Sequence, residues 1–186
     1  MKKDFGAQTV CYPMAVFIVG TYDENGVPDA MNAAWGGISN DNEISLCLAP
    51  VHKTVKNLKK TKAFTVAMGT VDTLVSCDYV GIVSGNNTPD KMKKSGFTAE
   101  KSTHVNAPVF KELPMVLECE VLSYDDASCR LVGKIVNVAA EEFVLTDGKI
   151  DPAKLHPLIF DPVNQKYLVA EKVVGNAFSD GKKLIK

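Results

Sequence analysis

The 186-residue chain carries 21 Lys and Arg against 22 Asp and Glu, and 46% of its residues are hydrophobic. This near-neutral balance gives no overall basic field that would attract nucleic acid or an anionic membrane surface. No stretch approaches the roughly 18 uninterrupted apolar residues of a spanning helix, and the N-terminus lacks the apolar core of a signal peptide. We therefore expect one cytoplasmic domain over residues 1–186, with neither nucleic acid nor membrane among its partners.

Strand patterns joined by turns fill the N-terminal third. Ala15–Val19 is continuously apolar, which predicts a strand buried on both faces and covered by a helix or by a second subunit. Asp23–Gly26 contains Asn-Gly and predicts a hairpin turn. We expect the partner strand at about Asn32–Ser39, and a further strand at Ile44–Ala49 that Pro50 ends.

A helix is predicted directly after Pro50. Thr54 is the expected N-cap, and Val51, Val55 and Leu58 recur at spacings of three and four, which predicts the inward face. A strand over Ala63–Met68 follows.

Two more helices are predicted after that strand. Residues 71–84 carry an apolar helical stripe, which comprises Val71, Leu74, Val75, Tyr79 and Ile82. A short helix is capped by Thr88, has Pro89 in its first turn and ends at Gly96.

The second half again shows strand patterns. In Met115–Tyr124 and Arg130–Leu145 apolar and polar residues alternate, which predicts two strands that each have one solvent-exposed face. Two short strands are expected near Leu158–Phe160 and Tyr167–Val169. Strands mostly in hairpin order, with only short helices between them, predict a mainly β protein built as an antiparallel barrel. No GxGxxG pattern follows a strand, so a dinucleotide-binding Rossmann domain is not expected.

Cysteine and histidine patterns exclude several site types. The five cysteines form no CxxC pair, and the three histidines form neither HxH nor HExxH, so we expect no metal site. An odd cysteine count without a secretory signal predicts reduced thiols. Cys119 shares one strand face with Leu117 and Val121, which predicts a core position. No nucleophile elbow is present, and we assign no catalytic residue.

The start of the helix after Pro50 is a candidate phosphate site. His52, Lys53 and the Thr54 hydroxyl lie beside the free amide groups and positive dipole end of its first turn, a combination that suits a phosphate. The alternative is an ordinary capped surface helix with solvated His52 and Lys53. Just upstream, Asn32 offers an amide and Trp35 a large aromatic face, unless Trp35 packs in the core. Together these residues suggest a phosphorylated aromatic cofactor.

Two further residues are candidates for the same site. Ser84, with Gly85, is positioned before a turn and can form a small anion-binding nest. Lys91 belongs to a lysine-rich helix, where a solvated role is the alternative to contact with a ligand.

Three segments in this order resemble a known family. They are YPMAVFIVGTYDENGVPDAMNAAWGGIS, ISLCLAPVHKTVKNLKKTKAFTVAMG and CDYVGIVSGNNTPDKMKKSGF. They resemble the flavoredoxin group of the flavin reductase-like, FMN-binding split-barrel family, and the likeness runs from about Tyr12 to Tyr167. It implies a homodimeric Greek-key split β-barrel with one FMN per subunit near the dimer interface.

The same resemblance implies roles for particular residues. Asn32 to Trp35 would contact the isoalloxazine and ribityl chain, Thr54 with its two basic neighbours would hold the phosphate, and Phe160 would pack near the ring. Many relatives have arginine where this chain has His52-Lys53, and lysine lacks the two-pronged geometry of arginine. The expected FMN-binding residues are Asn32, Ala33, Ala34, Trp35, His52, Lys53, Thr54, Ser84, Lys91 and Phe160.

The function that follows is an FMN-binding oxidoreductase, which either reduces flavin with NAD(P)H or transfers electrons through bound FMN. One alternative is a non-catalytic, flavodoxin-like electron carrier that only a redox protein partner reduces. Another is a flavin-free split barrel used for binding or assembly. Because the protein supplies positioning and electrostatics while the flavin carries the redox chemistry, spacing alone does not separate these alternatives.

Overall fold

The computed structural model describes residues 1–170 and 172–185 of the chain. The strands are β1 Met14–Ala15, β2 Phe17–Tyr22, β3 Pro28–Ala33, β4 Gly36–Asn40, β5 Glu43–Cys47, β6 Ala63–Met68, β7 Ala99–Lys101, β8 Pro108–Phe110, β9 Met115–Asp125, β10 Arg130–Ala140, β11 Leu145–Thr146, β12 Lys149–Ile150, β13 Leu158–Asp161 and β14 Lys166–Val169. The helices are α1 Lys53–Thr61, α2 Leu74–Ile82, α3 Lys91–Ser95 and α4 Pro152–Leu155.

A seven-stranded antiparallel sheet is the frame of the molecule, with strand order β3-β2-β6-β9-β10-β5-β4. Strands β3 and β4 are consecutive in the chain yet lie at opposite edges of this sheet. Only Ala34 and Trp35 join them, so Ala33 and Gly36 are at most about 11 Å apart. The sheet must therefore curl until its two edges meet without pairing. The predicted antiparallel split barrel is confirmed.

Strand β2 is buried on both faces, as its sequence predicts. Val19 faces the barrel interior, where Val55 and Leu58 of α1 pack against it. Ile18 faces the outer side, where Cys77 and Val80 of α2 cover it. Helices of the same chain therefore supply the cover that this strand requires.

The hairpin partner of β2 is β3, and the prediction of a strand over Asn32–Ser39 is wrong. Pairing begins as soon as the turn ends, with Tyr22 opposite Pro28 and Phe17 opposite Ala33. Gly36–Asn40 is a separate strand that pairs with β5. The two short strands share a run of strand-like sequence, which conceals the crossing between the sheet edges.

Two other predicted elements are also corrected. Residues 71–84 form a 3₁₀ turn followed by α2, and the helix buries Cys77 and Val80 while Val75 and Ile82 of the predicted stripe are exposed. Strand β10 stops at Ala140, opposite Met115, because the next residue of its partner is a proline and cannot donate to the ladder.

The short helix α3 begins later than predicted, because Asp90 and not Thr88 is its N-cap and Pro89 lies before its first turn. The other elements agree with the sequence pattern. Gly96 ends α3 in the left-handed conformation, β13 and β14 pair with each other, and β1 pairs with β13. Cys119 is fully buried in the barrel core. No helix in the described part of the chain has the length and apolar character needed to cross a bilayer.

Candidate functional site

The start of α1 lies at the edge of β3, but Thr54 does not cap the helix. His52 is the N-cap and makes no side-chain capping bond, while Val51 of the predicted inward face is exposed. Thr54 is instead buried in the first turn. The amide groups of Lys53, Thr54 and Val55 have no intrahelical acceptor, because each precedes the first complete helical turn. The helix therefore presents its positive end to the space beside β3.

A buried polar network connects this helix to β3 and α3. The Thr54 hydroxyl donates to Asp29 Oδ2 at 2.7 Å, and Lys91 Nζ donates to the Ala30 carbonyl oxygen at 2.6 Å. Lys91 Nζ also lies 3.8 Å from Asp29 Oδ1. The Asp29 and Lys91 side chains are only 3% and 4% exposed, so each charge depends on the other for compensation.

The Lys91 ammonium is held in an unfavourable environment. Burial lowers its pKa below the ordinary 10.5, the Asp29 carboxylate partly restores it, and the neighbouring Lys53 charge lowers it further. The ammonium groups of Lys53 and Lys91 therefore repel each other, and the buried Asp29 carboxylate compensates only part of their positive charge. An anion placed between Lys53 and Lys91 would relieve this repulsion.

A cavity of about 260 Å³ opens beside this network. Strand β3, the first turn of α1, the end of α2, the loop after α2 and Lys91 form its walls. Six of the ten residues predicted from sequence line it together, and they are Asn32, His52, Lys53, Thr54, Ser84 and Lys91. The structure therefore brings the basic residues and the free helix amides to one concave surface.

The loop after α2 is fastened over the start of α1. Asn86 donates its side-chain amide to the Val51 carbonyl at 3.0 Å and accepts from Lys56 Nζ at 3.1 Å. A side chain at Gly85 would collide with Asp29 Oδ1 and lie 2.9 Å from Lys53 Cδ. Only glycine lets the loop approach the network this closely, which explains why it follows Ser84.

A second cavity, of about 210 Å³, adjoins the first. The two share Asn32, Gly81 and Ile82 as a common wall. The second is lined in addition by Ala34, Asp78, Phe160 and Tyr167. The rings of Phe160 and Tyr167 lie 6.1 Å apart between centroids, so an aromatic surface meets the basic cavity at this wall.

Two predicted residues line neither cavity. Ala33 is buried in the barrel core. Trp35 is 51% exposed, so its alternative assignment to the core is wrong. It lies in the two-residue crossing between β3 and β4, and its carbonyl accepts from the Cys47 amide at 2.8 Å. The indole is therefore available at the surface near Ala34 but does not form a cavity wall.

Several residues of the two cavities were not predicted from sequence, and four of them, Asp29, Asp78, Gly81 and Tyr167, make contacts that shape the walls. Asp29 is a carboxylate within a buried strand, and Gly81 is a glycine within a helix, both of which signal a special contact. A Cβ on Gly81 would lie 2.9 Å from Asn32 Cβ, so the glycine allows α2 to approach β3 closely. Asp78 and Tyr167 are 89 residues apart in the chain, and no local pattern connects them.

A third cavity, of about 750 Å³, contains none of the predicted residues. Its main polar feature is the buried Glu118 carboxylate, which accepts hydrogen bonds from Ser102 and Asn137 and lies 2.9 Å from His104 Nδ1. Burial raises the pKa of Glu118, but these partners outweigh burial and hold it below its ordinary value. Both carboxylate oxygens have partners, and this network fixes the loop around Ser102 to β9.

The basic cavity and the aromatic cavity together suit a phosphorylated planar ring. Two ammonium groups and free helix amides can hold a phosphate, while Phe160, Tyr167 and Ile82 offer apolar surface to a ring. No cluster of metal-ligating side chains occurs in the part of the chain that the structure describes.

Comparison with known proteins agrees with this geometry. Residues 9–161 match the family model described as flavin reductase like domain. Flavoredoxin of Desulfovibrio vulgaris (Miyazaki F) is 36% identical, with 98% of this chain and 100% of that chain covered and a TM-score of 0.93. Flavoredoxin from Methanosarcina acetivorans is 25% identical over 99% of both chains, with a TM-score of 0.88.

A more distant structure shares the fold alone. The FMN-binding protein from Thermus thermophilus is 20% identical, with 94% of this chain and 100% of that chain covered and a TM-score of 0.76. No significant match occurs among curated proteins. The family model and the similarity to the Desulfovibrio vulgaris flavoredoxin confirm the resemblance inferred from the three sequence segments.

Proposed function

The chain belongs to the flavin reductase-like family, and on that premise we propose that it is an FMN-binding oxidoreductase. The family supports a flavin cofactor. The observation that carries the choice of FMN is the basic cavity beside the start of α1, which adjoins an aromatic cavity across Asn32, Gly81 and Ile82. A flavin with a phosphate has both the anionic end and the planar end that these two surfaces suit.

In this proposal Lys53 and the first amides of α1 hold the phosphate. The Thr54 hydroxyl is donated to Asp29, so Thr54 contributes its backbone N–H. Lys91 lies beneath this end and compensates negative charge from within the protein. His52 and Ser84 border the phosphate end, and the loop after α2 keeps water from one side of it.

The ring end lies toward the aromatic cavity. Asn32 to Trp35 and Phe160 border it, with Asn32 fixed by donation of its amide to the Cys77 carbonyl at 3.1 Å. When bound, the flavin accepts electrons and passes them on; the chain positions the ring and sets its electrostatic surroundings. The donor is NAD(P)H in one form of the proposal and a redox protein in the other.

We also propose a homodimer with FMN near the subunit interface. The support is the exposed apolar face of α2, where Val75 is 79% and Ile82 is 74% exposed. Ile82 lines both cavities, so a partner subunit that covers this face would also border the flavin. An apolar patch beside a ligand cavity is typical of an interaction surface.

The test is a visible absorption spectrum of the purified protein, before and after addition of FMN. We expect oxidised-flavin bands, and anaerobic bleaching by NADH or NADPH if the protein reduces flavin directly. A flavin that excess NAD(P)H leaves oxidised, but that a redox protein reduces, favours the electron-carrier form. A colourless protein that takes up no FMN contradicts the proposal.

A further inference from the structure

The segment after β14 leaves its apolar side chains exposed. Residues 172–185, called the arm below, contain five large apolar side chains that are each more than three-quarters exposed, and Phe178 is 99% exposed. The others are Val173, Val174, Leu184 and Ile185. So many exposed apolar side chains in one short segment are typical of an interaction surface.

The arm has local structure of its own. The Asn176 amide donates to Asp180 Oδ2 at 2.9 Å, and Asp180–Leu184 forms a 3₁₀ turn. Within the described residues, every hydrogen bond of the arm joins two arm residues. The arm is therefore shaped by its own contacts, but its apolar surface is left without a partner.

The 750 Å³ cavity has an excess of negative charge. Four glutamates but only two lysines line it. Glu118 is held by its hydrogen-bonded network, and Glu100 pairs with Lys111 at 2.8 Å. Glu141 and Glu142 are exposed and take part in no ion pair in the part of the chain that the structure describes. These two carboxylates are therefore available to a positively charged partner.

Apolar surface lies beside the two carboxylates. Val109, Leu113 and Val116 line the same cavity, and Phe143, which follows Glu142 in the chain, is 70% exposed. The volume of about 750 Å³ is within the roughly 300–1,000 Å³ of pockets that enclose a ligand. A matching occupant carries positive charge and apolar side chains together.

The end of the arm has that composition. Lys182 and Lys183 are followed directly by Leu184 and Ile185. The single chain contains both the arm and the cavity, yet the arm stays exposed. A second copy of the chain is therefore the occupant that this surface fits.

We propose that the arm of one subunit docks in the 750 Å³ cavity of a second copy, with its two adjacent lysines beside Glu141 and Glu142 and its last apolar side chains against the cavity wall. A two-fold axis would make the two arms reciprocal. The proposal rests on the proposed homodimer and not on bound FMN. The arm begins after β14, whose Tyr167 bonds to Asp78 of α2 at 2.8 Å, so it starts beside the helix that carries the proposed dimer face.

Reach and area are consistent with this exchange. The 14 residues of the arm span up to about 45 Å when extended. Five apolar side chains that bury roughly 100 Å² each give about 500 Å² per arm. Two arms, with the surface that they cover on the other subunit, then bury about 2,000 Å², and stable interfaces bury about 1,200–2,000 Å².

The experiment exchanges the charges of the arm and the cavity. The arm variant is Lys182→Glu with Lys183→Glu, and the cavity variant is Glu141→Lys with Glu142→Lys. All four side chains are exposed, so neither variant disturbs the core. The control is Lys2→Glu with Lys3→Glu, two adjacent exposed lysines elsewhere in the chain. Sedimentation velocity over a concentration series gives the dimer dissociation constant of each full-length protein, with and without FMN.

We expect the arm variant and the cavity variant each to dissociate roughly tenfold more readily than the wild type, and the control to match the wild type. An equimolar mixture of the two variants should associate within about threefold of the wild type, because both arms of a mixed dimer then meet a cavity of opposite charge. Contact between an arm and the cavity of its own chain would not respond to mixing.

Two results would overturn the inference. They are a mixture that associates no more tightly than the separate variants, and variants that dimerise as tightly as the wild type. A dimer that neither variant weakens removes the docked arm and leaves the proposed homodimer in place. A wild type that stays monomeric removes both, while the absorbance of added FMN still reports on the flavin site.

Discussion

Thr54 on α1 donates its hydroxyl to the Asp29 carboxylate on β3 at 2.7 Å, and both side chains are buried. This bond joins the helix that begins at the basic cavity to the strand that forms its floor. It also means that the hydroxyl already has an acceptor within the protein. The phosphate end of a flavin would then depend on Lys53 and on the helix amides.

Removal of this hydroxyl should affect stability more than flavin binding. Thr54→Val leaves Asp29 with one fewer donor, so we expect the free energy of unfolding to fall by about 1–3 kcal/mol, with FMN affinity changed by less than about threefold. Urea denaturation and fluorescence titration with FMN measure the two quantities, and Thr54→Ser is the matched control that retains the hydroxyl. A Thr54→Val protein that keeps its full stability but loses FMN binding would show that the Thr54 hydroxyl contacts the phosphate.

The close approach of α2 to β3 should be sensitive to a single methyl group. In Gly81→Ala the new Cβ would lie 2.9 Å from Asn32 Cβ, which is too close for either segment to stay in place. We expect a loss of about 1–3 kcal/mol of stability and weaker FMN binding, because the wall between the cavities shifts. Gly37→Ala is the control, since its Cβ meets no atom within 4 Å. Equal stability and affinity in both variants would contradict this account of the wall.

Glu118 should contribute to stability in a pH-dependent way. Its pKa is lowered in the folded state, so the unfolded chain binds more protons as the pH falls below the ordinary value of 4.5. Stability from this group is therefore present above 4.5 and lost as the pH falls through the lowered pKa. Denaturant unfolding at a series of pH values should show a shallower acid loss in Glu118→Gln than in wild type. Parallel curves for the two proteins would show that Glu118 is not coupled to folding.

The exposed face of α2 should control association. Val75→Asp places a charge on the apolar patch, and we expect it to convert a dimer to a monomer in light scattering and to weaken FMN binding. Val27→Asp, in the β2–β3 turn, changes an exposed valine elsewhere and should leave the dimer intact. A monomeric wild type would contradict the proposed homodimer. A dimer that persists in Val75→Asp would show that the interface does not include this face of α2.

Local patterns were sufficient for much of the fold. The doubly apolar β2, the Asn25-Gly26 turn and the end of α3 at Gly96 all follow from short-range chemistry. The crossing at Ala34–Trp35 does not, because the residues on both sides have strand-like sequence. Only the pairing partners, β2 on one side and β5 on the other, show where the chain changes edges.

The candidate site, like the fold, was predicted only where its residues are neighbours in the sequence. Lys53 and His52 lie next to each other at a helix start, and that local signal identified the basic cavity. Asp29, which compensates Lys91 from another element, carries no motif of its own. Tyr167 meets Asp78 only because β14 packs near α2. Contacts between distant segments determine which partner a polar group receives, and a single sequence does not contain that information.

The central claim is that the charged end of FMN binds where α1 begins, beside Lys53. The most direct measurement is the ratio of the affinities for FMN and riboflavin, which differ only in the phosphate, in wild type, Lys53→Ala and the control Lys60→Ala. We expect the wild type to bind FMN about 10- to 100-fold more tightly than riboflavin, Lys53→Ala to lose most of that preference, and Lys60→Ala to keep it. Equal affinity of the wild type for the two flavins, or an unchanged preference in Lys53→Ala, would contradict the claim.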